Sequence, residues 1–158
     1  YVRIQTVTRN TPDYTPIITL LPSTIQGISN VNVLIDIVEL NDRDACSPIY
    51  AIIPVFDTRF SFTYSQSNGS IGGQPVNNNN WQYLGIFNNF HYWTFVGNSN
   101  IFPASGVSTF GFTGVYNPYG TDGVTSYTVR VVQGSGGEVK VDNNSDGEVL
   151  NYNTMLFS

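Results

Sequence analysis

The chain has 158 residues, one cysteine and only 11% charged residues, with a net charge of −5 at neutral pH. That length suits one domain burying roughly 70% of the surface its unfolded chain exposes. The acidic balance excludes nucleic acid, which needs clustered Lys and Arg; no apolar run is long enough to cross a bilayer; and a lone Cys46 forms no internal disulfide, so it reads as a buried or unreactive thiol.

Taken in chain order, Val2, Ile4, Thr6 and Thr8 alternate with polar neighbours and predict a first strand. A proline-containing turn at Thr11–Thr15 leads to a second strand over Ile17–Leu21. Asn30–Leu40 predicts the clearest inner strand, with Val31, Val33, Ile35 and Ile37 on one face and Leu34 and Val38 on the other. Ile49–Phe56 follows, and Pro54 places it at an edge or a bulge. Arg59–Tyr64 alternates with Phe60, Phe62 and Tyr64 facing the core, and Ser65–Asn80 is a long Gly- and Asn-rich loop. Trp81–Ile86 and Phe90–Val96 form a hairpin.

In the last third, Phe110, Phe112 and Tyr116 share one alternation, and Tyr127, Val129 and Val131 share another. After the Gly134-Ser135-Gly136-Gly137 turn, Val139 and Val141 continue the pattern. Asp122-Gly123 and Asp146-Gly147 read as turns. About nine short strands without a helical period predict an all-β fold, a two-sheet antiparallel β-sandwich, with a closed barrel as the alternative. No linker-like break divides residues 1–158, so one domain is expected. With no initiator Met and no signal peptide, the chain is expected to be a mature or excised piece of a longer precursor.

Residues able to perform chemistry are few. His91 is the sole histidine, on the alternation of Trp93 and Phe95. With no G-x-S-x-G elbow beside it, it reads as a surface or rim residue and not as a general base. One His and one Cys do not make a zinc site. Two carboxylate runs, around Asp42 and Asp44 and from Asp142 to Asp146, have the alternating hard oxygens that calcium takes. Asp42, Asp44, Asp142 and Asp146 are therefore the candidate calcium ligands. The competing reading is that these Asx residues bond their own turns. No other cofactor is indicated.

The ten Tyr, ten Phe and two Trp residues divide between core and surface. Trp81, Tyr83, Tyr92 and Trp93 gather in one hairpin and are the candidate sugar-stacking set, although strand alternation already assigns most aromatics to the core. Tyr14, Tyr116 and Tyr119 lie in or beside loops, half apolar and half wet.

Four blocks carry a family resemblance: LLPSTIQGISNVNVLIDIVELND at 20–42, NNNNWQY at 77–83, IFPASGVSTFGFTGVYN at 101–117 and YTVRVVQGSGGEVKVDNNSDGEVLNY at 127–152. In that order, spanning about residues 12 to 153, they resemble a C-terminal module of large exported Bacteroidetes proteins. Those are adhesin-like cell-surface proteins, gliding-type adhesins included, delivered by type IX secretion. The loop around Cys46 departs from the pattern. The resemblance implies an Ig-like, non-catalytic domain outside the cell that acts in sorting, surface anchoring or adhesion. Its implied partner is a protein at the outer membrane or in the secretion machinery, with a glycan or surface as the alternative. The Gly turn and the residues after it are the expected contact surface: Gly134, Gly136, Gly137, Glu138, Asp142 and Asn143. An exposed final strand is expected to offer β-augmentation.

Overall fold

In the computed structural model, which describes residues 11–154, the chain is built from twelve strands and short 3-10 turns. The strands are β1 (Tyr14–Leu21), β2 (Thr24–Gln26), β3 (Ser29–Glu39), β4 (Tyr50–Pro54), β5 (Phe60–Thr63), β6 (Ser70–Ile71), β7 (Gln74–Pro75), β8 (Trp81–Phe87), β9 (Phe90–Phe95), β10 (Val107–Tyr116), β11 (Gly123–Val131) and β12 (Ser145–Asn153). The strand expected over Val2–Thr8 lies outside the described residues.

Two sheets face one another. One has four strands in the order β1-β3-β10-β5, and the other has six in the order β2-β12-β11-β4-β9-β8. A small β6–β7 ribbon stands apart. All pairings are antiparallel except β12 with β2, which run parallel through Asn151–Asn153 and Thr24–Gln26. Period-2 alternation sends every second side chain inward. Ile18 and Leu20, Val31 to Ile37, Phe60, Phe110 and Phe112 come from the smaller sheet. They meet Ala51, Ile53, Trp81, Trp93, Phe95, Tyr127, Val129, Val131 and Leu150 from the larger one. Trp93 stacks on Phe112 at 5.6 Å and 8° across the gap, joining the layers through two aromatic planes.

Several expectations need correction. Val139 and Val141 form no strand and stand 63% and 43% exposed, because the Gly turn feeds a loop before the sheet resumes. The sheet resumes at Ser145, so Asp146-Gly147 lies inside β12 and pairs with Val129 and Thr128. β12 is not open along its whole length, since β11 flanks it on one side and β2 covers Asn151–Asn153 on the other. β4 is an inner strand, and Pro54 is tolerated because it is the last residue, paired to Phe90 of β9 and beyond the end of the β11 ladder. Ser65–Asn80 is less open than expected: it holds the β6–β7 ribbon and a turn whose Asn78 is fully buried. Tyr14 and Tyr116 are fully buried, whereas Tyr119 is 69% exposed.

Candidate binding surface

The Gly134–Gly137 turn is held against the segment before β4. The N–H of Val132 donates to Tyr50 O at 2.9 Å, that of Gly136 to Pro48 O at 2.9 Å, and that of Cys46 to Gly136 O at 2.9 Å. The N–H of Tyr50 donates to Ser135 Oγ at 3.1 Å. Gly134 turns outward at φ 85°, and a Cβ there would meet nothing within 4 Å. Gly136 points the other way. It is buried at φ 66°, and a Cβ would lie 2.6 Å from the Tyr14 ring. Cys46, expected to be buried or unreactive, is at the surface beside this turn.

Neighbouring shallow clefts that share lining residues lie at this end of the larger sheet. One lies between Ser47, Tyr50 and the turn residues Val132 to Ser135. The next shares Pro48 and Tyr50 and is walled by Gln82, Thr94, Val96 and Asn100. A third continues past Phe95 to Asn77, Asn80, Asn98, Val107 and Ser108. Amides, hydroxyls, one phenol and apolar carbons line all three, with no carboxylate, histidine, Lys or Arg. Two of the serines are already engaged: Ser135 accepts Tyr50 N–H, and Ser108 accepts Trp81 Nε1–H at 2.9 Å. Nothing here activates a nucleophile.

A loop between two of the clefts stores backbone strain. Asn98, Ser99 and Asn100 have φ of 50°, 56° and 68°, three successive left-handed residues without a glycine. Each costs on the order of 1 kcal/mol, a feature concentrated at functional sites. The turn closes through Asn100 N–H to Gly97 O at 2.8 Å and Asn98 Nδ2 to Ile101 O at 3.0 Å. Sequence reasoning missed Tyr50, Asn98 and Asn100. The Asn-Ser-Asn run was the only available signal, because their grouping depends on β4 lying beside β9.

The residues singled out from sequence scatter. Trp81 and Trp93 have no exposed surface, so neither presents a face to a sugar; they are core. Tyr83 is half-buried and bonds His91 Nδ1 through its hydroxyl at 2.7 Å, while Tyr92 sits under the edge of Phe87. His91 itself is a correction: it is 4% exposed, stacked on Phe56 at 4.7 Å, and neither surface nor rim. Burial holds its pKa below the ordinary imidazole value.

Of the expected contact set, Gly134 lines a cleft, Asp142 is exposed and faces Lys140 at 3.9 Å, and Gly137 and Asn143 are half-buried. Gly136 and Glu138 are interior, unsuited to a contact surface. The expected calcium ligands are not brought together. Asp42 accepts Ser105 Oγ–H at 3.0 Å, Asp44 accepts Ala104 N–H at 2.9 Å, and Asp146 accepts Ile18 N–H at 2.9 Å. Among the described residues no three His, Cys, Asp or Glu side chains gather at metal-holding distance.

Two buried acids lie behind the turn. Burial alone raises the pKa of Glu39, but N–H groups of Ser105 (2.8 Å), Asn41 (2.7 Å), Arg43 (3.0 Å) and Asp13 (3.1 Å) outweigh it and hold the carboxyl below its ordinary value. Glu138 goes the other way. Burial, with the charge of Asp13 adding to it, raises it to about 7 even though Tyr14 N–H and Asn144 Nδ2 donate to it.

No family model matches the chain, and no curated protein matches its sequence. Solved structures do. The CARDB domain of a Pyrococcus furiosus protein, in complex with di-metal ions, aligns over 96% of this chain and 97% of its own, at TM-score 0.53 and 13% identity. The solution structure of that domain gives a TM-score of 0.52 at 12% identity, with coverage of 91% and 97%. The major pilin subunit of Bacillus cereus aligns over 90% of this chain and 40% of its own, at TM-score 0.46 and 13% identity. The fold is thus an Ig-like β-sandwich of the kind CARDB domains adopt.

Proposed function

We propose that the chain is a non-catalytic recognition module of a secreted, surface-exposed protein, and that the neutral clefts beside Tyr50 and Asn100 form its contact face. The observation that carries this reading is the division of labour among side chains. The sole histidine and both tryptophans are buried in the core or in internal bonds, while the polar groups lining the clefts are amides, hydroxyls and a phenol set among apolar carbons. Such a surface recognises neutral polar partners through hydrogen bonds and apolar contact, and contains no acid–base pair.

Within that reading, the module acts at the C-terminus of an adhesin-like Bacteroidetes protein in type IX sorting and surface anchoring, with an outer-membrane protein as partner. The four sequence blocks support this assignment. The second reading is adhesion to glycan, favoured by the amide- and hydroxyl-lined clefts. A fusion of a signal peptide, a fluorescent reporter and this chain tests the first. Surface delivery in a type IX-competent cell, lost in a secretion mutant, is expected; periplasmic retention in the competent cell defeats it. A glycan array with Tyr50→Ala and Asn100→Ala controls tests the second, and binding unchanged by both variants rejects the clefts as the sugar site.

A further inference from the structure

We infer that Asp13, Glu138, Asn143 and Asn144 form a calcium site at the seam between the two sheets, using none of the four aspartates that the sequence suggested. Asp13 precedes β1, and the other three lie between the Gly turn and β12, 124 or more residues further along the chain. Thr15 Oγ1–H donates to Asn143 O at 2.9 Å and Tyr14 N–H to Glu138 Oε1 at 3.1 Å, so the two segments are in register. Asn143 Nδ2 reaches Asp13 Oδ2 at 3.3 Å, and Asn144 Nδ2 donates to Glu138 Oε2. The four side chains are thus bonded as two pairs, brought near one another by the consecutive positions of Asn143 and Asn144 and by the bond of Tyr14, next to Asp13, to Glu138.

Its polar balance is incomplete. Asp13 is 4% exposed and Asn144 5%, yet Asp13 Oδ1, Asn143 Oδ1 and Asn144 Oδ1 are all buried without a hydrogen-bond partner. Native interiors rarely leave several acceptors unsatisfied in one place, because each keeps its desolvation cost without compensation. All three orphans are oxygens. Two carboxylates also lie side by side, and the charge of Asp13 pushes the Glu138 carboxyl up in addition to its burial.

A hard divalent cation answers both deficits. Calcium binds six to eight oxygens from carboxylates, amides and backbone carbonyls in irregular geometry, and its charge matches two carboxylates. The donor set contains neither nitrogen nor sulfur ligands of the kind zinc prefers. A proton is the competing occupant, but it supplies one donor and leaves two of the three oxygens unmet. The half-buried Asn143 gives the site a route to solvent.

Thermal melting of the intact chain in calcium and in EDTA is the primary test. Calcium is expected to raise the melting temperature by about 5 °C or more at saturating metal. Titration calorimetry with calcium chloride should show Asp13→Asn and Glu138→Gln each weakening affinity at least about tenfold. Asp42→Asn and Asp142→Asn should leave it unchanged. Melting curves that coincide in calcium and EDTA, with no calorimetric heat, overturn the inference even if the variants fail to fold. So does a Glu138→Gln variant that melts higher than the parent by the same margin in both buffers, since that identifies a proton in place of a cation.

Discussion

His91 shows how one side chain changes role when its neighbours are known. In the sequence it is a lone imidazole on an aromatic strand; in the fold it is sandwiched between Phe56 and Phe62, with one nitrogen on Tyr83. Its folded pKa lies below its unfolded value, so the unfolded chain binds the proton more tightly. The stability it contributes is present above about pH 6.5 and is lost as pH falls through the depressed folded value. In the calcium-free chain Glu138 has the opposite sign: its contribution is full below about pH 4.5 and fades as pH rises through about 7. Comparing the parent with His91→Gln separates the two. Between about pH 7 and pH 5 the parent should lose melting temperature relative to the variant. A constant difference across that range removes His91 from the acid response. The glycines give a second residue-scale contrast. Gly136→Ala combines positive φ with a collision against Tyr14 and should cost several kcal/mol, about 3 or more, whereas Gly134→Ala should cost about 1. Denaturant midpoints of the two variants check the order.

Among elements, β10 shows a side chain standing in for a strand. β5 pairs with β10 only from Thr113 to Tyr116. Beyond it, Asn78 takes up the ladder: its Oδ1 accepts Gly111 N–H at 2.8 Å, and its Nδ2 donates to Gly111 O and Ser65 O, both at 2.9 Å. Gly111 suits this position because a Cβ would lie 2.9 Å from Leu34 and 3.0 Å from Val33 O. Asn78→Ala removes two buried bonds and one part-buried bond and should cost about 2–4 kcal/mol, read from urea unfolding, without loss of the β spectrum. The β8–β9 hairpin was legible beforehand for a local reason. Asn88 and Asn89 adopt φ of 52° and 66°, the paired left-handed residues of a two-residue turn, and Asn tolerates them. By contrast, β12 was hidden, because its Asp-Gly pair mimics a turn and its outward-facing positions are mixed in polarity.

At the scale of the whole molecule, the six-stranded sheet ends at β2 on one side and at the longer β8 on the other, with Ile86 and Phe87 of β8 each 54% exposed. A bulge between Tyr83 and Gly85 interrupts its register, a device that blunts edge pairing. Ile86→Lys should leave stability within about 0.5 kcal/mol, as a surface change. If β-augmentation by a partner uses this edge, the same variant abolishes capture of that partner; unchanged capture places the contact elsewhere, at the clefts.

Alternation and turn chemistry act over a few residues, so the inward faces of β3, β10 and β11 and the all-β class were set by the sequence alone. Which strands become neighbours is a matter of long-range packing: β1 joins β3, β4 joins β9 and β11, and Asp13 meets Asn143 from 130 positions away. Local preference carries no information about such partners. Hence the burial of His91, the interior position of Glu138 and the grouping of Tyr50 with Asn100 were decided only when the two sheets closed over a shared core.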